Sequence, residues 1–243
     1  MARITLPSGT PAELVRPDDE PGLGLVVIPD VNGLRPLFDD LVARLSTQNG
    51  WAVVAVEPFP GRTFPEGDLE ARFRVLPEME DGRLLGDVVA AAELLGTPRT
   101  GCIGSCMGGM YALKSTGTGA FSRVCSFYGQ ITVPEAWRGP GQGEPLEHLR
   151  HTPATTQVMA VIGGEDTFTP PADVAALRTA GVDVAFYPDA EHGFVHDPSR
   201  PAHRPDDAAD AWRKVIAFLV GSAPPAAEAP SPPGGGFRPL RGS

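Results

Sequence analysis

Cys106, Asp166 and His192 each stand just past a short apolar run, and together they could carry acyl transfer. Cys106 lies in Gly104-Ser105-Cys106-Met107-Gly108-Gly109, where an apolar run ends and a helical pattern begins. Glycines two before and two after the centre permit a tight strand-to-helix turn. Such a turn holds the Cys106 side chain over a sheet, beside a helix N-terminus that favours a thiolate's negative charge. Centring the turn on Ser105 would put Ile103 and Met107 at the glycine positions, so that frame fails. The competing reading is a tight turn around a buried thiol. Cys102 and Cys125 fall inside apolar runs and read as small core hydrophobes. The spacing from Cys102 to Cys106 is C-x-x-x-C, not the C-x-x-C of dithiol redox proteins.

A thiol nucleophile needs a base. Of the five histidines, His148, His151, His192, His196 and His203, only His192 and His196 sit in the loop just past the last apolar run, VDVAFYP. His192 stands between Glu191 and Gly193, where glycine leaves room for substrate, and is favoured as the base. His196 and His203 fit solvated loop positions better. His192 and His196 are four residues apart, but without an HExxH or a helix to align them no metal site is expected. Asp166 follows the run QVMAVI and Gly163-Gly164, and is read as the acid that orients the imidazole. Glu165 is its rival, while Thr169 or Asp173 could cap the helix that follows. The chain order nucleophile, acid, histidine is that of α/β-hydrolases rather than of either serine-protease order. A developing oxyanion needs amide donors, and the N–H groups of Met107 and Val31 are the candidates. Asp30, just before Val31, could hydrogen-bond the resting thiol, hold another loop, or simply cap a turn or helix.

These residues need elements to hold them at one edge. Short apolar runs at 22–28, 51–57, 100–105, 123–129, 157–163 and 182–188 alternate with amphipathic stretches at 34–48, 84–96, 107–116, 171–181 and 207–221. That alternation predicts an α/β fold with a mostly parallel central sheet flanked by helices. ITL and AELVRP near the start add small antiparallel strands. Ligands bind beyond the C-terminal ends of such strands. The loops PDVNG, GSCMGG, GGEDTFTP and DAEHGFVH all leave there. One domain is expected over 1–221. The 222–243 stretch, with six prolines and four glycines, lacks any apolar period and reads as a disordered tail.

Composition narrows the partners. A net charge of -10 argues against nucleic acid and against a polybasic membrane surface. No apolar run approaches the ~20 residues of a membrane span, and the N-terminus shows no secretory segment. Three cysteines make a poor disulfide scaffold. A cytoplasmic protein with reduced thiols and a small-molecule substrate is expected. Nothing in the residues addresses oligomeric state, and a monomer is the default.

GSCMGG, GGEDTFTP, EHGF (191–194) and VVIPDVNGL (26–34) resemble the dienelactone hydrolase family of the α/β-hydrolase fold, over nearly all of residues 10–220. The resemblance implies a Cys-Asp-His triad on Cys106, Asp166 and His192, with no metal or organic cofactor. It implies hydrolysis of a lactone such as carboxymethylenebutenolide, a step in aromatic compound degradation. Two positions depart from the family. Its thiol-proton acceptor, a glutamate, is here the shorter Asp30, and its substrate-gripping arginine is here His196. Arg200 and Arg204 could substitute for that arginine, and Arg72 or Arg74 in the 60–83 excursion could also bind a carboxylate. A carboxylesterase or thioesterase on another small substrate is the alternative, and a non-catalytic redox-sensing or interaction protein a second one.

Overall fold

A computed structural model describes residues 1–65 and 67–221. The tail expected at 222–243 lies outside the described residues. Eight strands form one sheet: β1 (Ala2–Thr5), β2 (Pro11–Val15), β3 (Gly24–Ile28), β4 (Ala52–Val56), β5 (Thr100–Ser105), β6 (Arg123–Phe127), β7 (Gln157–Gly163) and β8 (Asp183–Tyr187). Their spatial order is β1-β2-β4-β3-β5-β6-β7-β8. The β1–β2 and β2–β4 pairs are antiparallel and every other pair is parallel.

The run character of each strand follows from this order. Every residue of β3, β4 and β5 is buried, because helices cover both faces of the sheet's middle. Strand β8 has a neighbour on one side only, and four of its five residues are exposed or half-buried. The covering helices are α1 (Pro36–Asn49), α2 (Leu69–Arg74), α3 (Asp81–Leu95), α4 (Met107–Ser115), α5 (Pro145–Arg150), α6 (Pro171–Thr179) and α7 (Pro205–Val220). Proline opens α1, α5, α6 and α7, at the position where its missing N–H costs nothing. Neither Thr169 nor Asp173 caps α6, which starts behind Pro170 without a side-chain cap.

Helices α2 and α5 occupy stretches that carry no amphipathic pattern in the sequence. Each is six residues long, too short to display an apolar period. The start of α2 is fixed instead by Asp68, whose carboxylate accepts from the Ala71 N–H at 2.8 Å. Among the described residues no helix is long and apolar enough to cross a membrane.

Candidate active site

The turn between β5 and α4 is built by contact, not only by glycine's backbone freedom. A Cβ on Gly104 would lie 2.0 Å from the Gly108 oxygen, and one on Gly108 would lie 2.1 Å from the Ile28 oxygen. Only bare backbone lets β5, the start of α4 and the end of β3 come this close. The turn forces Cys106 into positive φ, at 56°. A non-glycine residue held there costs about 1–3 kcal/mol, which the packing around it must offset. Cys106 is 9% exposed. It rather than Ser105 sits at the apex, at the cap position of α4.

His192 and Asp166 arrive from the two outermost parallel strands. Asp166, 4% exposed, follows β7, while Glu165 beside it faces solvent. The His192 Nδ1–H donates to Asp166 Oδ2 at 2.8 Å. That leaves Nε2 buried with no hydrogen-bond partner among the described residues. Burial disfavours the imidazolium. The bond to Asp166 and the adjacent Cys106 sulfur outweigh it and raise the His192 pKa to about 9. Cys102 and Cys125 are fully buried in the core. Burial pushes the Cys102 thiol up to about 12 and that of Cys125 well above its ordinary range. His192 and His196 do not share a ligand, since His196 turns to Asp30. Among the described residues no three metal-ligating side chains converge.

The close approach of Gly108 to the Ile28 and Pro29 oxygens sets the start of α4, with the Met107 amide, beside the turn that carries the Val31 amide. Neither N–H donates a hydrogen bond among the described residues. Asp30 is otherwise engaged. Its Oδ1 accepts from Asn32 N–H (2.8 Å) and Arg35 Nη1 (2.7 Å), and its Oδ2 from Arg35 Nη2 (2.9 Å) and His196 Nε2 (2.8 Å). The Tyr128 O–H donates to His196 Nδ1 at 2.5 Å. Burial opposes the Asp30 charge, yet His196 and Arg35 hold its carboxyl well below the usual carboxylate range. Of the three readings open for Asp30, these contacts match the holding of another loop and the capping of a turn, while the expectation of a solvated or substrate-binding His196 is corrected. With four donors satisfying both oxygens, Asp30 has no lone pair directed at the thiol. His196, 8% exposed, is neither solvated nor turned toward a substrate; it ties the 192–197 loop to the Val31 turn.

The four candidate arginines divide. Arg74 is exposed and pairs with Glu70, and Arg204 pairs with Asp207 at the start of α7, so neither turns to the site. Arg72 lies over the Phe64 ring, 4.5 Å from its centroid, and Nη1 donates to the Val31 oxygen at 3.3 Å. Arg200 packs on Gly193, where a Cβ would meet Nη1 at 2.3 Å. Three further groups stand at the site that were not singled out as site residues from the sequence. Phe168 lies 4.8 Å from the His192 ring and 6.2 Å from Trp137, on which Phe73 stacks at 5.6 Å. These rings form an apolar wall between His192 and the helix that bears Arg72. Tyr128, at φ 40°, stands edge-on to His192. Gln130 is fully buried, with Nε2 3.9 Å from Cys106 Sγ. For Tyr128 and Gln130, the position just past β6 is the one signal in the sequence.

The arrangement brings together a thiol at a strained turn, an imidazole, a carboxylate hydrogen-bonded to it and two amide donors without partners among the described residues. These are the parts of acyl transfer. Comparison with known proteins agrees in kind. Residues 10–222 match the profile of the dienelactone hydrolase family. A probable 2-oxo-3-(5-oxofuran-2-ylidene)propanoate lactonase of Bradyrhizobium sp is 23% identical over 209 residues, covering 80% of this chain and 82% of that protein. A putative dienelactone hydrolase of Klebsiella pneumoniae superposes with a TM-score of 0.78 at 20% identity, covering 90% of this chain and 97% of that one. A dienelactone hydrolase-like promiscuous phosphotriesterase from metagenomic libraries superposes with a TM-score of 0.70 at 19% identity, with the same coverages.

Proposed function

The chain belongs to the dienelactone hydrolase family, a family of carboxylic ester hydrolases, and from that premise we propose that it opens a carboxylated lactone through a thioester on Cys106. A dienelactone such as carboxymethylenebutenolide is the nearest substrate type. The observation that carries the reading is the strained Cys106 turn with His192 and Asp166 joined by a 2.8 Å bond at the same sheet edge.

The Cys106 thiolate attacks the lactone carbonyl carbon, and the carbonyl electrons move to oxygen, facing the N–H groups of Met107 and Val31. Collapse of that intermediate breaks the ring C–O bond. The departing oxygen takes the proton from His192, leaving an acyl thioester. His192, now neutral and held by Asp166, removes a proton from water as the water attacks the thioester carbon. The C–S bond breaks and the thiolate returns with the imidazolium. Enolate leaving groups suit this cycle, since they depart with little help; amides do not, because their nitrogen must be protonated. Arg72 supports a carboxylated substrate. It lies at the Val31 turn, and its hydrogen bond among the described residues is a single contact to a main-chain oxygen. The aromatic wall of Phe168, Trp137 and Phe73 would cover the substrate's flat carbon frame.

The test compares a carboxylated enol lactone with a neutral nitrophenyl ester. Cys106→Ala is expected to abolish turnover of both and to lose the covalent adduct seen by intact mass. Arg72→Gln is expected to raise KM for the lactone roughly tenfold, the scale of one charge-assisted bond, and to spare the neutral ester. Turnover surviving in Cys106→Ala would sink the mechanism. Turnover of neutral esters alone would sink the lactone assignment.

A further inference from the structure

Gln130 lies where a packing residue would be cheaper. It follows Tyr128 and Gly129 beyond the end of β6 and is fully buried. Its place is fixed by backbone contact. The Tyr128 N–H donates to the Val161 oxygen at 2.8 Å, and a Cβ on Gly129 would lie 2.2 Å from the Gly109 carbonyl carbon. The chain after β6 is thus pressed against the first turn of α4, and the side chain at 130 comes to the sulfur at the apex. A buried carboxamide with unmet hydrogen bonds costs free energy that leucine or methionine would not. Here Oε1 has no partner, and among the described residues the sole partner of the side chain is Cys106 Sγ, 3.9 Å from Nε2.

A neutral thiol is a weak acceptor, whereas an anionic sulfur accepts strongly. An amide oxygen turned toward a thiolate would repel it, so a charged sulfur also fixes which end of the carboxamide faces inward. We propose that Gln130 is a further catalytic residue, donating its Nε2–H to the Cys106 thiolate and sharing that charge with His192. The inference rests on Cys106 being the nucleophile. At 3.9 Å the amide donor is within reach of the charge that the resting sulfur carries beside the His192 imidazolium. When the thioester forms, the charge leaves and the donor is released. The sulfur regains its charge only when the thiolate departs, after water has attacked, so the bond acts chiefly on the acylation half of the cycle.

The experiment uses the full chain and reads the ultraviolet thiolate absorbance at neutral pH, as the difference from Cys106→Ala, with the burst rate on an activated ester. Gln130→Met, of similar length and without a donor, is expected to lose thiolate signal several-fold. It should slow acylation about tenfold, the order of one bond to a charged group, with thioester hydrolysis slowed less. Gln130→Glu keeps the shape but faces the sulfur with a carboxylate, and is expected to lose more. Wild-type absorbance and burst rate in a folded Gln130→Met overturn the proposal. If that variant does not fold, the same result in Gln130→Glu overturns it. A lowered melting temperature with unchanged thiolate signal also overturns it, since that marks a structural role alone. Failure of the underlying reading is separate: no acyl mass appears on Cys106 in the wild type, whatever happens at position 130.

Discussion

Two opposed influences meet at His192, and their balance changes during the proposed cycle. Burial disfavours its charge, while Asp166 and the Cys106 sulfur favour it, so the resting imidazole holds its proton up to about pH 9. Once the sulfur is acylated its contribution vanishes and burial pulls the imidazole down, toward the base that water attack needs. One residue can then serve as acid and as base without moving. The burst phase of leaving-group release is expected to stay level with rising pH and to fall only above about pH 9. Stopped-flow kinetics on an ester whose leaving oxygen needs that proton checks this; a decline beginning at the ordinary imidazole value of about 6.5 contradicts it. Cys106, Asp166 and His192 were legible because each is announced by its neighbours: glycines around the thiol, a glycine pair before the acid, a glycine after the histidine. Gln130 was not, since its partner lies 24 positions away and no local pattern records the contact.

Strands and helices set where those side chains meet, and the short elements do more of this than their length suggests. The loop that carries Trp137 is anchored at its far end by α3. The Asp81 N–H donates to the Gly141 oxygen at 2.9 Å, and its Oδ2 accepts from the Gly143 N–H at 2.8 Å. The same carboxylate takes the fully buried Lys114 Nζ of α4 at 2.8 and 3.0 Å. Removing one member of a buried pair strands the other's charge. Lys114→Met is expected to destabilise the protein by about 3–5 kcal/mol in urea unfolding, with the aromatic wall loosened. Removing the Asp81 charge as well should recover much of that loss. The buried strands were legible as unbroken apolar runs because helices cover both faces of the sheet. Helices α2 and α5 were not, because six residues make less than two turns. The sequence left three roles open for Asp30 for a related reason: the choice is decided by Arg35 and by His196, which lies 166 positions along the chain.

For the molecule as a whole, acid works in two stages. The net charge is -10 at pH 7 and the isoelectric point is near 4.9, so acidification first relieves like-charge repulsion. Below that it protonates the carboxylates on which ion pairs depend. The Asp30 carboxyl is depressed in the folded protein despite burial, through His196 and Arg35. Its contribution is therefore present above the unfolded value of about 3.9 and is lost as pH falls through the folded one. The stability gap between wild type and Asp30→Asn is expected to be constant near neutrality and to shrink under acid below about pH 3.9. Urea titrations across pH measure it; a gap that widens toward acid would reverse the sign. The sheet order carries one more consequence. The nucleophile follows β5, paired on both sides, whereas the histidine follows β8, paired on one. Local opening is cheapest at such a border, so amide hydrogens of β8 exchange sooner than those of β5. Each fraying event carries the proton carrier away from an intact nucleophile turn. Inactivation is then a separate and milder event than unfolding, and it reverses when one strand closes.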